Sequence, residues 1–276
     1  MKILEVFLEG KTADPLLCED AWIVTEHFAA VIDGATAKSA LVIDGMATGK
    51  FIAEQIKAAV ESVENPDLDS EAFVRLIESH LYEQYKARGL LGEMQKDPNK
   101  IPAASMAAYS RYRRQIWLFG DCQAFAGKRY TNFKPVDRLI SMVRKYYIEY
   151  ALLNGKTEAE FLDEDGGRSA IQPLLHMQQA FLNSEMDSPF SYSTISGFGY
   201  KMEDAKVIPV PAGVQEVVLA SDGYPELFPD LAATERYLKE ALAEDPLCYK
   251  KIISTKGIEN GRISFDDRCY LKIGID

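Results

Sequence analysis

The sequence predicts a protein of mixed helices and strands, arranged as one large α/β domain or two small ones. The chain has 276 residues, of which 47% are hydrophobic and 26% charged, as is typical of a globular protein with a sizeable core. Short runs of β-forming residues that stop at glycine turns indicate strands. Apolar residues at three- and four-residue steps indicate helices.

Strand and helix signals alternate through the first half of the chain. Strands are predicted over residues 1–9, 21–24 and 28–32, and the last of these ends at the turn signal Asp33-Gly34. Apolar periodicity predicts helices over 47–63 and 70–88, with Ser70 as the N-cap and Gly89 as the stop of the second. Two further strands are predicted over 103–109 and 115–119, and we expect 122–126 to continue the second past a bulge.

The second half begins with a segment of helical character. Periodicity predicts helices over 136–153 and 169–182, and no strand signal interrupts residues 135–183. We therefore expect one domain over 1–276 with a helical insertion at about 135–183. Strands then resume over 191–197, 206–210, 214–220 and 269–273, with helices predicted over 225–228 and 232–243.

Composition narrows the classes of partner. The formal net charge of −11 disfavours nucleic acid as a partner, because an acidic chain repels phosphate backbones. No apolar run is long enough to span a bilayer, so we expect no membrane association. The four cysteines form no C-x-x-C pair and follow no targeting peptide, which predicts free thiols in a reducing cytoplasm.

Several predicted strands end at an aspartate beside a glycine. This pattern occurs at Val31-Ile32-Asp33-Gly34, Leu118-Phe119-Gly120-Asp121 and Leu219-Ala220-Ser221-Asp222-Gly223, and the pair Asp266-Asp267 precedes the last strand. A single Asp-Gly pair is usually a turn, and the echo at Ile43-Asp44-Gly45 is interpreted as coincidence. Several such strand ends can converge at a sheet edge, where carboxylates need a neutralising cation. Oxygen ligands favour Mg²⁺ or Mn²⁺ over zinc, and the three histidines lack zinc-binding spacing.

The ordered set of motifs resembles the metal-dependent protein phosphatases of type 2C, the PPM family, over the whole chain. The matching stretches, in order, are Cys18-Glu19-Asp20-Ala21, Phe28–Gly34, Ala104-Ser105-Met106-Ala107-Ala108, Leu118–Cys122, Leu219–Gly223 and Asp266-Asp267-Arg268-Cys269. The resemblance implies an α+β fold, a four-layer αββα sandwich of two antiparallel sheets flanked by helices. It also implies a metal-binding cleft at one end of the sheets.

The resemblance further implies roles for individual residues. Asp33 would bridge two Mg²⁺ or Mn²⁺ ions, the Gly34 carbonyl would bind the second ion, and Asp222 with Asp266 would bind the first. Asp267 is the alternative to Asp266 if the motif is aligned one residue later. Asp121 would help to hold a third, weaker ion. Glu19 and Asp20 would orient metal-bound waters.

The implied activity is hydrolysis of phosphomonoesters, with phosphoserine and phosphothreonine in proteins as substrates, by two-metal activation of water. Two departures from the family pattern concern phosphate binding and proton transfer. Pro15 stands where many members have a phosphate-binding arginine, for which Lys11 or Lys38 could substitute as a point charge. Ala35 stands where some members have a general-acid histidine. The alternative hypothesis is therefore a catalytically weak or inactive relative that serves as a binding or regulatory module.

Overall fold

Two five-stranded antiparallel sheets form the centre of the fold, which a computed structural model describes for residues 1–12, 14–35, 39 and 41–275. The strands in chain order are β1 (Lys2–Glu9), β2 (Asp20–Val24), β3 (Phe28–Ala35), β4 (Val42–Ile43), β5 (Met46–Ala47), β6 (Ala103–Ser110), β7 (Gln115–Phe119), β8 (Gln123–Phe125), β9 (Arg129–Thr131), β10 (Lys206–Pro209), β11 (Glu216–Ala220) and β12 (Arg268–Gly274). The first sheet has the order β1-β12-β11-β8-β9, and the second has the order β10-β7-β6-β3-β2. Strands β4 and β5 form a separate small hairpin.

Seven α-helices lie in the described part of the chain, on and beside the sheets. They are α1 (Thr48–Glu61), α2 (Ser70–Ala87), α3 (Leu91–Lys96), α4 (Pro135–Leu153), α5 (Glu158–Asp163), α6 (Gly166–Met177) and α7 (Leu231–Glu244). Short 3-10 turns occur at Pro15–Leu17, Pro98–Lys100, Gln178–Phe181 and Met202–Asp204. None of these helices combines the length and apolarity needed to cross a bilayer.

Alternation along the strands explains the layering. In β3, Phe28, Ala30 and Ile32 pack against residues of α1 and α2, whereas Ala29 and Val31 face the first sheet. In β11, Val217 and Leu219 face the second sheet, whereas Val218 and Ala220 pack against α7. These inner strands of the two sheets thus bury both faces. The predicted fold class, a sandwich of two antiparallel sheets flanked by helices, is confirmed.

Two predicted elements are absent because side chains take the backbone groups that would have formed them. Over 191–197, the Thr194 amide bonds Asn183 Oδ1 at 3.1 Å and the Ser196 amide bonds Glu78 Oε1 at 2.9 Å, so only isolated bridges form there. Over 225–228, the Pro225 carbonyl accepts from Arg129 at 2.9 Å instead of from a helical amide. The predictions of a strand over 191–197 and a helix over 225–228 were wrong.

Two further predictions were wrong, one about the continuation of β7 and one about the N-cap of α2. Residues 122–126 do not continue β7, because Gly120 at φ 78° turns the chain into β8 of the other sheet. The N-cap of α2 is Asp69 rather than Ser70, since the Asp69 carboxylate accepts from the Ala72 amide at 2.8 Å.

The helices α4 to α6 follow β9 and precede β10, where a helical insertion was predicted. Val136 and Ile140 of α4 pack against Ile171 and Leu175 of α6. Buried Arg144 of α4 then fixes the segment to the rest of the chain. Its guanidinium contacts Asp165 at 2.7 Å and donates to the Leu247 carbonyl at 2.8 Å. That the chain forms a single domain stays a prediction.

Candidate metal centre

Three aspartates continue the rows of side chains that point between the two sheets. Asp33 follows Val31 on β3 at the two-residue step that keeps side chains on one face, and Asp267 precedes Cys269 of β12 by the same step. Asp20 begins β2 and lies opposite Asp33 in the strand pairing. Apolar alternation along these strands thus carries the carboxylates to one end of the sandwich.

Asp121 and Asp222 reach the same place from the ends of other strands. Asp121 follows β7 at the crossing between the sheets, and Asp222 follows β11. Carboxylate oxygens of Asp33, Asp121 and Asp222 lie within 4.8 Å of one another. They face a cleft of about 980 Å³, which Glu19, Gly34 and Asp266 also line. Residues separated by almost 190 positions therefore form one acidic centre.

Mutual repulsion and desolvation act on this centre. Desolvation, followed by the charges of Asp20, Asp121 and Asp266, holds the pKa of Asp33 well above its usual range. Desolvation and then the charges of Asp33, Asp121 and Asp266 raise the pKa of Asp222 in the same way. A cation bound beside these carboxylates would favour their ionised forms and oppose both effects.

Asp121 behaves differently because it has a cation of its own. Lys134, the residue before α4, places Nζ 2.8 Å from Asp121 Oδ2. The Ser105 hydroxyl donates to Asp121 Oδ1. Desolvation raises the pKa of Asp121, but the Lys134 charge and these hydrogen bonds outweigh it, so the net shift is downward.

The two adjacent aspartates before β12 point in different directions. Asp267 is buried and accepts from the Lys11 amide at 2.7 Å and from the Glu19 amide at 3.0 Å, so both of its oxygens are bonded to the loop before β2. Asp266 instead lines the cleft, where Lys256 forms an ion pair with it. Of the two, Asp266 is the one that lines the same cleft as Asp33, Asp121 and Asp222.

Glu19 and Asp20 form the floor behind the cleft, and both are buried. Desolvation raises the pKa of Asp20 well above its usual range, against a hydrogen bond from Ser221, and the charges of Asp267, Asp266 and Asp222 add to the rise. Among the described residues, no donor reaches Asp20 Oδ2. A buried carboxylate oxygen without a donor is costly, and a cation or an ordered water would satisfy it.

Gly34 is required by packing rather than by its backbone angles. A Cβ at this position would lie 2.1 Å from the Gly49 carbonyl oxygen and 2.7 Å from the Glu19 carbonyl oxygen. The end of β3 therefore presses directly on the first turn of α1 and on the loop that carries Glu19. This contact fixes the position of Asp33 relative to Glu19.

Of the two lysines predicted to bind phosphate, the structure describes only Lys11. Lys11 lines the cleft, but its ammonium is already placed 3.2 Å from Asp267 Oδ2 and 3.5 Å from Glu19 Oε2. Desolvation lowers its pKa, yet the charges of Asp266, Asp267 and Glu19 outweigh this and raise it overall. Lys38 lies outside the described residues. Pro15 begins a 3-10 turn, and Ala35 ends β3 at the cleft.

Sequence reasoning missed two cations, Lys134 and Lys256, and gave Ser105 no role. Lys134 precedes a proline at the start of a helix, and Lys256 lies in an irregular loop. No local pattern separates these lysines from ordinary surface lysines. Ser105 was within a quoted motif, and its place on β6 opposite Asp33 was the available signal.

No protein-family model matches the sequence, and neither does any curated protein. Among solved structures, the chain is similar to the serine/threonine phosphatase PstP of Mycobacterium tuberculosis, with 15% identity, 99% of both chains covered and a TM-score of 0.46. It is also similar to the serine/threonine phosphatase Stp1 of Staphylococcus aureus, with 10% identity, 100% of this chain and 96% of the other covered, and a TM-score of 0.49.

A third match is the PstP catalytic domain in complex with two manganese ions, with 13% identity, 100% of both chains covered and a TM-score of 0.46. Identities of 10–15% and TM-scores below 0.5 leave the question of activity to the residues of the cleft. The matches to these phosphatases, PstP and Stp1, extend over almost the whole of this chain.

Proposed function

We propose that this protein is a phosphatase that depends on Mg²⁺ or Mn²⁺ and hydrolyses phosphoserine and phosphothreonine in proteins. The observation that carries the proposal is the convergence of Asp33, Asp121 and Asp222 within 4.8 Å at the cleft. Carboxylate oxygens at this spacing suit a hard divalent cation. Three strand ends bring them together without a histidine or cysteine ligand, which argues against zinc.

An excess of carboxylates over ammonium groups supports the binding of divalent ions. We use the name acidic cluster for the three converging aspartates and four carboxylates near them, that is Glu19, Asp20, Asp33, Asp121, Asp222, Asp266 and Asp267. The ammonium groups of Lys11, Lys134 and Lys256 form ion pairs with members of the cluster. The cluster therefore has more carboxylates than ammonium partners, and bound divalent ions would offset this excess of negative charge. Lys134 already supplies Asp121 with a cation, so we favour two ions over three.

The roles follow from which oxygens face the cleft. Asp33, the Gly34 carbonyl, Asp222 and Asp266 would hold the ions. We choose Asp266 over Asp267 because Asp267 is committed to the amides of Lys11 and Glu19. Asp121 would border the ions from the Lys134 side, and Glu19 and Asp20 would orient waters from the floor.

Bound divalent ions supply an activated water at neutral pH and neutralise phosphoryl oxygens. The protein's own part is to hold the acidic cluster in place. The Asp267 carboxylate ties the Glu19 segment to β12, and Gly34 ties β3 to α1. Lys11 remains our proposed phosphate contact, in competition with its carboxylate partners. The Ala35 side chain has no proton to donate to the leaving group, so water would protonate the departing alkoxide.

The breadth of the cleft suits a side chain on a protein better than a small isolated phosphate. Its walls include residues of α4 and α6 as well as the sheet ends, and cationic side chains such as Arg138, Arg168 and Arg262 line it. These cations would favour an anionic phosphopeptide, although the whole chain is acidic. We also place the protein in the cytoplasm, since all four cysteines are free thiols in the structure.

One observation favours the second candidate, a weak or inactive relative that binds phosphoproteins. Pro15 and Ala35 leave the two positions for phosphate binding and proton donation without a polar side chain. Such a protein would bind metal and phosphopeptide without turning the phosphopeptide over.

The proposal is tested by hydrolysis of an aryl phosphate and of a phosphothreonine peptide, with Mn²⁺, with Mg²⁺ and with a chelator. Asp222→Asn removes a cleft carboxylate, and Asp187→Asn is the matched control on an exposed loop. We expect turnover that requires the metal, is lost with Asp222→Asn and is retained with Asp187→Asn. Calorimetry should count two Mn²⁺ ions per chain.

The outcomes separate the candidates. Mn²⁺ binding and peptide binding without turnover would establish the second candidate. Turnover that survives both chelation and Asp222→Asn would rule out the metal-dependent phosphatase.

A further inference from the structure

The outward face of α4 exposes a continuous row of large apolar side chains. The opposite face is buried through Val136, Ile140, Arg144 and Ile148. Six side chains on the outward face are 38–87% exposed, namely Leu139, Met142, Val143, Tyr146, Tyr150 and Leu153. We call this row the α4 stripe. Apolar residues scattered singly on a surface are ordinary, but a contiguous row of this length indicates an interface.

The spacing of the stripe is symmetric about Tyr146. Met142 and Tyr150 lie four residues before and after it, and Leu139 and Leu153 lie seven residues before and after it. Steps of four and seven residues keep side chains on one face of a helix. Five of the six stripe residues therefore keep their spacing when the helix is followed in either direction, and Val143, whose mirror position is Glu149, is the exception.

Such a stripe is complementary to itself. In a contact with two-fold symmetry, residue i meets residue j and residue j meets residue i, so the surface must pair with its own reverse. We propose that a second copy of this chain covers the α4 stripe, with the two α4 helices antiparallel and crossing at Tyr146. In this register Leu139 meets Leu153 of the second copy, and Tyr146 meets Tyr146.

The available area fits a dimer of modest stability. At the observed exposures, the six side chains offer roughly 600 Å² per copy if each fully exposed side chain offers about 150 to 250 Å². Specific interfaces begin at about 600 Å² per partner, or roughly 1,200 Å² in total. Phe133, which is 62% exposed just before α4, can extend the contact.

Charge also favours contact at this helix. The chain carries a net charge of −11, which opposes association through most of its surface. Within Pro135–Leu153 there are two acidic and three basic residues, and because Arg144 is buried, the charges on the surface of α4 balance. In the proposed register Glu149 faces Val143, and Lys145 already neutralises Glu149 at 2.6 Å. Arg138 faces Asn154, so like charges do not meet.

The proposed contact lies beside the cleft. Arg138 and Met142 of α4 line the cleft as well as bordering the stripe, and Lys134 at the start of the helix holds Asp121. A second copy on the stripe would therefore border the entrance through which a protein substrate approaches. This dimer does not depend on the proposed phosphatase activity.

Cysteine cross-linking tests the symmetry directly. All four native cysteines are buried, so the full chain gives a low background. Tyr146→Cys places a thiol on the two-fold axis, where it meets its own copy. Leu139→Cys and Leu153→Cys meet only each other, so each should cross-link poorly alone and well as a double variant. Tyr112→Cys, on an exposed turn 64% open to solvent, is the control for random collision.

The variants are oxidised mildly at micromolar concentration. We expect at least about tenfold more disulfide dimer from Tyr146→Cys and from the double variant than from the control. Helices that pack about 8–10 Å apart bring facing residues within reach of a disulfide bond. Equal cross-linking of Leu153→Cys alone and Tyr146→Cys would overturn the antiparallel register. Cross-linking no greater than that of Tyr112→Cys would overturn the dimer.

Sedimentation of the uncross-linked chain supplies an independent measurement. The wild type should sediment as a dimer at high micromolar concentration, and Tyr146→Glu should sediment as a monomer with unchanged circular dichroism, because it opposes two like charges on the axis. Tyr112→Glu should stay dimeric. A monomeric wild type overturns the proposal, including the case in which the stripe instead binds anionic lipid vesicles or a protein substrate.

Discussion

Two tripeptides of identical sequence, Ile32-Asp33-Gly34 and Ile43-Asp44-Gly45, have opposite fates in this molecule. The first ends the buried strand β3, and its aspartate joins the acidic cluster. The second forms the tight turn between β4 and β5, with φ 51° at Asp44 and 78° at Gly45. Asp44 is half-exposed and pairs with Arg88 at 2.8 Å.

The difference shows what an Asp-Gly pair means on its own. In the hairpin, both residues adopt the left-handed region that two-residue turns require, and the aspartate has a surface partner. At the end of β3, the glycine is needed because backbone from two other segments lies where a Cβ would be. The Asp-Gly pair thus forms a tight turn at Asp44-Gly45, whereas at Asp33-Gly34 it permits a close approach of other backbone segments.

The largest expected contrast is in activity. Asp33→Asn should lower metal-dependent aryl phosphate hydrolysis by about 100- to 1,000-fold, because the site loses a carboxylate that would hold the ions. Asp44→Asn should leave the rate within about twofold, since a surface ion pair contributes little. Initial rates with saturating Mn²⁺ measure both. A large loss with Asp44→Asn would break the distinction between the two tripeptides.

The second largest expected contrast is in the stability lost when Gly34 or Gly45 is replaced by alanine. Gly34→Ala should lower the free energy of unfolding by about 3 kcal/mol or more, because its Cβ would meet the Gly49 backbone at 2.1 Å. Gly45→Ala should cost only about 1 to 2 kcal/mol, since the penalty there is the positive φ alone and open space surrounds the site. Urea unfolding followed by circular dichroism measures both values. Equal losses would mean that the contact between Gly34 and Gly49 is not tight.

The smallest expected contrast is in the dependence of stability on pH without metal. The folded pKa of Asp33 is raised, so below the unfolded pKa of about 3.9 the group has no effect on stability. Its destabilising effect grows as pH rises from there toward the folded pKa, and it is complete above the folded value. We therefore expect Asp33→Asn to stabilise the metal-free protein by more than about 1 kcal/mol at pH 8. At pH 3.5 we expect no stabilisation.

Thermal unfolding between pH 3.5 and pH 8 measures this effect, with Asp44→Asn as the matched variant. Excess Mn²⁺ should reverse the order at pH 8, because the wild type alone would bind it tightly. A Tm difference between the Asp33→Asn protein and the wild type that is the same at every pH would show that Asp33 is not under electrostatic strain.

Much of the fold could be predicted because strand alternation is a local pattern. The apolar rows of β3, β7, β11 and β12 were visible in the sequence, and so were the aspartates at their ends. The strand over 191–197 could not be excluded, since one of the groups that take its amides, the Glu78 carboxylate, is more than a hundred residues away. The crossing of the chain from β7 to β8 was also missed, because a glycine at positive φ looks like a bulge in sequence.

The sequence by itself determined the residue types of the site and the two-residue period that points Asp20, Asp33 and Asp267 between the sheets. Only the tertiary structure decided which carboxylates face the cleft. Asp267 turns away because it accepts the amide of Glu19 across 248 positions of chain, and Asp121 is neutralised by a lysine from another segment. A local period fixes the direction of a side chain along its strand. Its partners and charge state depend on distant segments that meet only when the chain has folded.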